Sequence, residues 1–259
     1  MDNYLAELFG LRDKVAALTG AGGHLVSEMS RSLARAGVKV ALLDANLGKA
    51  QDVADEIHLE GGQAIAIEAD VTSKQDYQRA LDAILAEFGD LDFAVFGANL
   101  NAPTPFSEIS LEEWHAILDV QLTGTMLGLQ SFGGYMVGQS KGSIVTISSA
   151  SAGPPLSKAF AYSVAKAGVR NLTQNIAREW ASSGVRVNAL RPGFFPTEWS
   201  KIHFIDEARN AAILGHTPMR RYGEPRELVG AVLWLLSDAS TFVTGAEITV
   251  DGGFSAMTI

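Results

Sequence analysis

The sequence predicts an α/β fold: one doubly wound parallel sheet of about seven strands with helices on both faces. Three observations carry this. Short apolar runs rich in branched residues alternate with helical patterns along the whole chain, and a strand buried on both faces reads as such a run. Gly37, Gly61 and Gly89 fall just past three of the helical patterns, where a helix stop belongs. No linker, repeat or low-complexity segment interrupts the 259 residues, so residues 1–259 read as a single domain built from βαβ units.

In order, the expected strands are Val15–Thr19, Val38–Asp44, Ala64–Ala69, Phe93–Phe96, Ser143–Ser148, Val185–Leu190 and Ile248–Val250. The expected helices are Val26–Ala36, Leu47–Leu59, Lys74–Phe88, Leu111–Val137, Ala161–Ala181 and Arg226–Leu236. Residues 193–219 form the longest stretch without a clear strand and are a candidate mobile lid.

Composition narrows the function. Apolar residues are 47% and charged residues 19%, enough for a full core and against disorder. A net charge of −9 speaks against a nucleic-acid partner. The chain has no cysteine, which excludes disulfides and thiolate metal sites, and no metal site is expected. No apolar run reaches the roughly 18 residues of a membrane span, and the first residues lack the basic and apolar regions of a signal peptide. The expectation is a cytoplasmic protein acting on a small molecule, away from membranes.

The most informative spacing is Tyr162-Ser163-Val164-Ala165-Lys166, with Ser149 thirteen residues before the tyrosine. A free phenol titrates near 10 and is a poor base at neutral pH. A lysine four residues on shares its helix face. An ammonium about 4 Å away at an effective dielectric of about 20 contributes about 4 kcal/mol, roughly what brings a phenol toward 7. Lys166 is therefore expected to lower Tyr162, with Ser149 holding a substrate oxygen beside it.

A second cluster follows the first strand. Thr19-Gly20-Ala21-Gly22-Gly23-His24-Leu25-Val26 suits close approach of backbone N–H groups to a pyrophosphate at a helix N-terminus, the Rossmann-type arrangement. It equally suits a plain tight turn. Asp44 ends the second strand 24 residues past Gly20, near the offset of the acid that binds a ribose 2′-hydroxyl. A carboxylate there favours NAD over NADP. Asp70 and Val71 after the third strand either meet an adenine or, in the case of Asp70, cap the next helix.

These residues resemble the short-chain dehydrogenase/reductase family. The likeness runs from Leu11-Arg12-Asp13-Lys14-Val15 to Val250-Asp251-Gly252-Gly253-Phe254. Its most specific part is Ser149, Tyr162 and Lys166. The segment Val187-Asn188-Ala189-Leu190-Arg191-Pro192-Gly193, followed by Thr197, is similar to the family's stretch around the nicotinamide. The resemblance implies that Tyr162 is the acid/base, that Lys166 tunes it and holds the ribose, and that Ser149 orients the substrate. Pro192, Gly193, Thr197 and Ala98 would contact the cofactor. It also implies a homo-oligomer, a tetramer or dimer, built through the long helices and the C-terminal segment.

Three stretches depart from the family pattern. His24 and Val26 stand where its glycine motif has the later two glycines, which implies strain at His24 if its backbone needs a positive φ, and crowding at Val26 unless Gly22 and Gly23 supply the close approach. Phe96-Gly97-Ala98-Asn99 replaces Asn-Asn-Ala-Gly. Gln121 replaces the asparagine of the proton relay, either as a working substitute, the favoured expectation, or as a mark of weakened catalysis.

The motifs Pro192–Glu198, His216–Met219 and Val250–Ala256 resemble the family's sugar-acid branch, which includes mannonate (fructuronate) and gluconate oxidoreductases. Lys201, His203, Arg209, Arg220 and Arg221 are the cations available to a substrate carboxylate, and Trp199 and Phe204 read as lid packing. The leading expectation is NAD-dependent oxidation or reduction of a secondary alcohol or ketone of a sugar acid, sugar or polyol. The alternatives are a ketoacyl thioester reductase and a catalytically weak dinucleotide-binding protein.

Overall fold

The computed structural model describes residues 2–258. Seven strands form one sheet in the order β3-β2-β1-β4-β5-β6-β7, every pair parallel. They are β1 Val15–Thr19, β2 Lys39–Asp44, β3 Ala64–Glu68, β4 Phe93–Phe96, β5 Gly142–Ile147, β6 Val185–Pro192 and β7 Glu247–Val250. The helices are α1 Asp2–Phe9, α2 His24–Arg35, α3 Leu47–Leu59, α4 Lys74–Phe88, α5 over 111–138, α6 Phe160–Trp180, α7 Glu198–Phe204, α8 Glu207–His216 and α9 Val229–Leu236.

Strand periodicity of two explains why the apolar runs are continuous. In β1, Ala16 and Leu18 face one core, with Met29 and Leu33 of α2, Val53 and Ile57 of α3 and Leu235 of α9. Val15 and Ala17 face the other, with Tyr77 and Ile84 of α4 and Phe132 and Met136 of α5. Both faces are covered, so β1 shows no alternation of apolar and charged residues.

Local chemistry stops the helices where expected. Gly37, Gly61 and Gly89 all have positive φ (88°, 82° and 82°), a backbone that a side chain disfavours. Ser73 caps α4 by accepting a hydrogen bond from the Asp76 N–H at 3.2 Å, with Asp76 in the first turn on the positive helix end.

Three features differ from the sequence expectation. The short helix α1 precedes the first strand and packs against the turn Asp238–Ser240. Residues 193–219, expected only to lack a strand, hold two helices that the sequence reading did not assign, α7 and α8. α5 is not a regular α-helix: Asp119–Thr123 and Leu129–Gly133 are wide π turns, which often mark functional positions.

The chain leaves β1 for β2 and β3 at one edge, then returns to the middle for β4. This reversal opens a crevice outside the carboxyl ends of β1 and β4, where open α/β sheets take ligands.

Candidate functional site

One cleft of about 740 Å³ occupies that crevice. Gly20, Gly22, Gly23, His24, Leu25, Asp44, Asp70, Val71, Ala98, Ser149, Tyr162, Lys166, Pro192, Gly193 and Thr197 all line it. Of the site residues expected from sequence, only Gln121 does not. It lies behind the wall, 1% exposed.

At the glycine end, Thr19 Oγ1 accepts from the Gly97 and Ala98 N–H groups at 3.1 and 3.4 Å, tying β1 to β4. Gly20 has φ +70°, and a Cβ there would lie 2.8 Å from Ala98 Cα, so only glycine fits. Gly23 caps α2 without any side-chain hydrogen bond, so the first N–H groups of α2 face the cleft uncapped, as a phosphate requires. Asp44 is held at the end of β2: Oδ2 accepts from Gly22 N–H at 3.0 Å and Oδ1 from Asn46 N–H at 2.9 Å. Asp70 lines the cleft and also closes a turn, accepting from the N–H and hydroxyl of Thr72, each at 2.8 Å. Ser73, not Asp70, caps α4. The acid at the strand end, the glycine turn and the uncapped helix together fit a dinucleotide.

The departures in sequence turn out to be packing exchanges. His24 is the first residue of α2 and is not among the positive-φ residues, so the expected strain is absent. Val26 does not crowd the sheet because Gly97 makes room: a Cβ on Gly97 would lie 2.5 Å from Val26 Cγ2. Phe96 stacks on Phe132, with Tyr77 edge-on, and a Cβ on Gly128 would collide with its ring. Gly97→Ala is therefore expected to destabilise the fold by about 1–3 kcal/mol through overpacking. Val26→Ala in the same chain should recover most of that loss. Additive shifts in urea midpoint for the two changes would refute the exchange.

Gln121 sits in the first π turn. Its Nε2 donates to Asn99 Oδ1 at 2.7 Å and to Leu100 O at 2.8 Å, so Asn99 and Gln121 depart from the family pattern together. Its Oε1 is buried without a partner among the described residues, an acceptor whose burial alone is costly. The amide braces the cleft wall at 99–100 and does not line the cleft itself.

At the other end, Ser149 follows β5 and caps a short turn, with Oγ accepting from Ser151 N–H at 3.2 Å. Tyr162 and Lys166 share a face of α6. Lys166 Nζ donates to Ile147 O at 2.7 Å and lies 5.5 Å from the Tyr162 ring centroid, over the ring and not on the phenol oxygen. Burial lowers Lys166 to about 7. Burial also raises Tyr162, and the adjacent Ser149 side chain pulls it back only in part. The expected lowering of Tyr162 by Lys166 is not found: burial sets the direction of both groups, and the side chain that lowers Tyr162 is that of Ser149.

Sequence reasoning missed the brace behind Ser149. Glu247 Oε1 accepts from Ser148 Oγ at 2.9 Å, and its Oε2 pairs with Arg191 at 3.3 Å and Arg170 at 3.2 Å. Arg191 also donates to Ala150 O at 3.2 Å. Both neighbours of Ser149 are thus fixed by one ion-pair network. The signal was a pair of opposite charges, Arg191 and Glu247, each within a predicted strand or at its edge.

The three segments likened to the sugar-acid branch converge beside the cleft. Phe254 meets Phe194 at 5.1 Å and His216 at 4.8 Å between ring centroids, and Met219 N–H donates to Gly252 O at 3.1 Å. Phe204 lines the cleft, whereas the side chain of Trp199 lies outside the described residues. Among the described residues no helix is long and apolar enough to cross a membrane.

Fold and cleft together define a dinucleotide-type α/β protein. A family model described as Enoyl-(Acyl carrier protein) reductase matches residues 25–255. UxuB of Bacillus subtilis, an uncharacterized oxidoreductase, is 38% identical over 95% of this chain and 96% of its own length. Among solved structures, a candidate D-mannonate oxidoreductase of Haemophilus influenzae with bound NAD superposes with TM-score 0.90 at 33% identity, covering 98% and 99% of the two chains. A gluconate 5-dehydrogenase of Burkholderia cenocepacia, in complex with NADP and tartrate, gives 0.91 at 31%, covering 97% and 100%. The chain belongs to the short-chain dehydrogenase/reductase family and is an oxidoreductase acting on CH–OH groups.

Proposed function

We propose that this protein is an NAD-dependent oxidoreductase interconverting a secondary alcohol and a ketone on a sugar acid or related polyol. The observation that carries the reading is the convergence of Ser149, Tyr162 and Lys166 at one end of a cleft whose other end holds Asp44. The relatives that act on gluconate and mannonate support the substrate class.

Asp44, Gly22, Gly23 and the start of α2 would hold the adenosine and pyrophosphate, and Pro192, Gly193 and Thr197 the nicotinamide end. Bound nicotinamide supplies or accepts the hydride. The chain moves the proton. The Ser149 hydroxyl accepts from Ser151 N–H and bonds the Tyr162 phenol; a substrate oxygen entering between them receives its proton instead. Tyr162 gives its proton to that oxygen as a ketone is reduced, and takes it back in the reverse direction. With its phenol raised by burial, Tyr162 holds the proton that reduction of a ketone requires. Residues 193–219 close over the substrate as a lid, and cytoplasmic residence as a homo-oligomer belongs to the same reading.

Two assays test it. Turnover at the nicotinamide absorbance band across sugar acids, polyols and ketoacyl mimics is expected to favour the first two. Calorimetric titration is expected to show NADH bound about ten-fold more tightly than NADPH, since Asp44 repels a 2′-phosphate while the neighbouring Lys49 partly offsets it. Asp44→Ser should erase that preference. Binding of neither nucleotide below millimolar concentration would overturn the function.

A further inference from the structure

We propose that Arg209 is the specificity-determining residue of this cleft, binding the carboxylate of a sugar-acid substrate; the inference rests on the proposed function above. Of the five lid-region cations, Arg209 is the one that lines the cleft holding Ser149 and Tyr162. The structure separates it from the others. Arg221 forks onto Glu227 with two 2.7 Å bonds, and Arg220 is turned to Gly215 O at 3.1 Å. Lys201 and His203 lie outside the cleft wall.

The guanidinium of Arg209 is half-buried and pre-positioned. Nη1 donates to Ser157 Oγ at 2.7 Å, and Ser157 lies on the segment joining Ser149 to Tyr162. The anchor therefore ties the cation to the loop that carries the reacting end. Asp206 acts on this cation through space but forms no ion pair with it, its oxygens accepting from the Arg209 backbone N–H at 2.8 Å and from Lys158 Nζ at 3.1 Å. Among the described residues no carboxylate pairs with the guanidinium. One of its five N–H donors is used by a side chain, leaving donors for the fork geometry that matches a carboxylate.

The need for such a group follows from the charge balance. The chain carries −9, and of the lysines in the cleft wall Lys49 stands beside Asp44 at the adenosine end and Lys166 is bound to Ile147 O. An anionic substrate approaching a chain of net negative charge is held only where a local cation receives it. A neutral polyol has no such requirement, so an unpaired guanidinium in the wall distinguishes the two.

The test uses binding, so that it stands apart from turnover. The whole chain is titrated calorimetrically, with and without NADH, using D-gluconate and its neutral counterpart sorbitol as probes. The expected result is gluconate bound at least about ten-fold more tightly than sorbitol. Arg209→Gln should abolish that preference, and Arg209→Lys, which keeps the charge without the fork, should retain part of it. Unchanged circular dichroism and melting temperature establish that the variants fold. Equal affinities in the wild-type chain, or a preference that survives R209Q, overturn the inference. A gluconate preference lost in R209Q but without nicotinamide-linked turnover would sink the proposed function and leave Arg209 as an anion site. Turnover of both probes with no effect of R209Q on their ratio would do the reverse.

Discussion

Tyr162→Phe is expected to lower kcat by about 10²–10⁴-fold, the range of a lost general acid or base, with NADH affinity unchanged within about two-fold. The substitution removes one hydroxyl. The ring stays over Lys166 Nζ at its 5.5 Å centroid distance, and the glycine turn and Asp44, which would grip the adenosine, stand at the far end of the cleft. The loss should therefore fall on kcat more than on KM. Steady-state turnover on the best substrate of the panel, alongside calorimetric NADH binding, separates the two. Turnover within ten-fold of wild type would remove Tyr162 from the chemistry. It would also favour the reading of a binding protein with another role. The wild-type pH profile adds a sign. A proton held by a raised phenol is available through neutral pH, and reduction should weaken only as the pH climbs through that raised value.

What the sequence made legible follows from how local each cause is. The strands and most helices were readable because burial on two faces, cap residues and glycine stops act over a few positions. Cleft membership was readable for Gly20, Asp44, Ser149 and Tyr162 because each sits at a strand end or on a helix face fixed by short spacing. The consequences of Val26 were not readable, because its compensation lies at Gly97, some seventy residues away and in contact only across β1 and β4. Arg191 and Glu247 were hidden for the same reason: their strands pair only in the folded sheet, with Ala189 opposite Glu247. The sign at Tyr162 was misread for a different reason. Spacing predicts that a lysine stands near the phenol, but it is silent on how much water both groups lose, and the loss of water decides the direction.

That same loss of water makes Lys166 costly to the fold. Replacing it with methionine is expected to abolish turnover and to raise the melting temperature at pH 6. Lys166 is 3% exposed, and burial brings it from 10.5 to about 7. Below pH 7 the folded chain holds the ammonium in a dry site and bears the full penalty. Between 7 and 10.5 the unfolded chain binds the proton more readily than the folded one, so wild-type stability rises with pH across that window. The gross penalty is several kcal/mol at about 1.36 kcal/mol per unit. Methionine removes it but leaves Ile147 O without its 2.7 Å donor, at a cost of about 1–3 kcal/mol. The net gain of about 2 kcal/mol corresponds to roughly 4–8 °C. The gain should shrink steadily toward pH 10, where both chains hold a neutral group. A melting difference that stays constant from pH 6 to 10 would mean that the lysine is not desolvated. On the proposed function, a chain that keeps a destabilising lysine at the base of its cleft retains it to hold a bound ribose beside Tyr162, and the pH-dependent gain measures that cost.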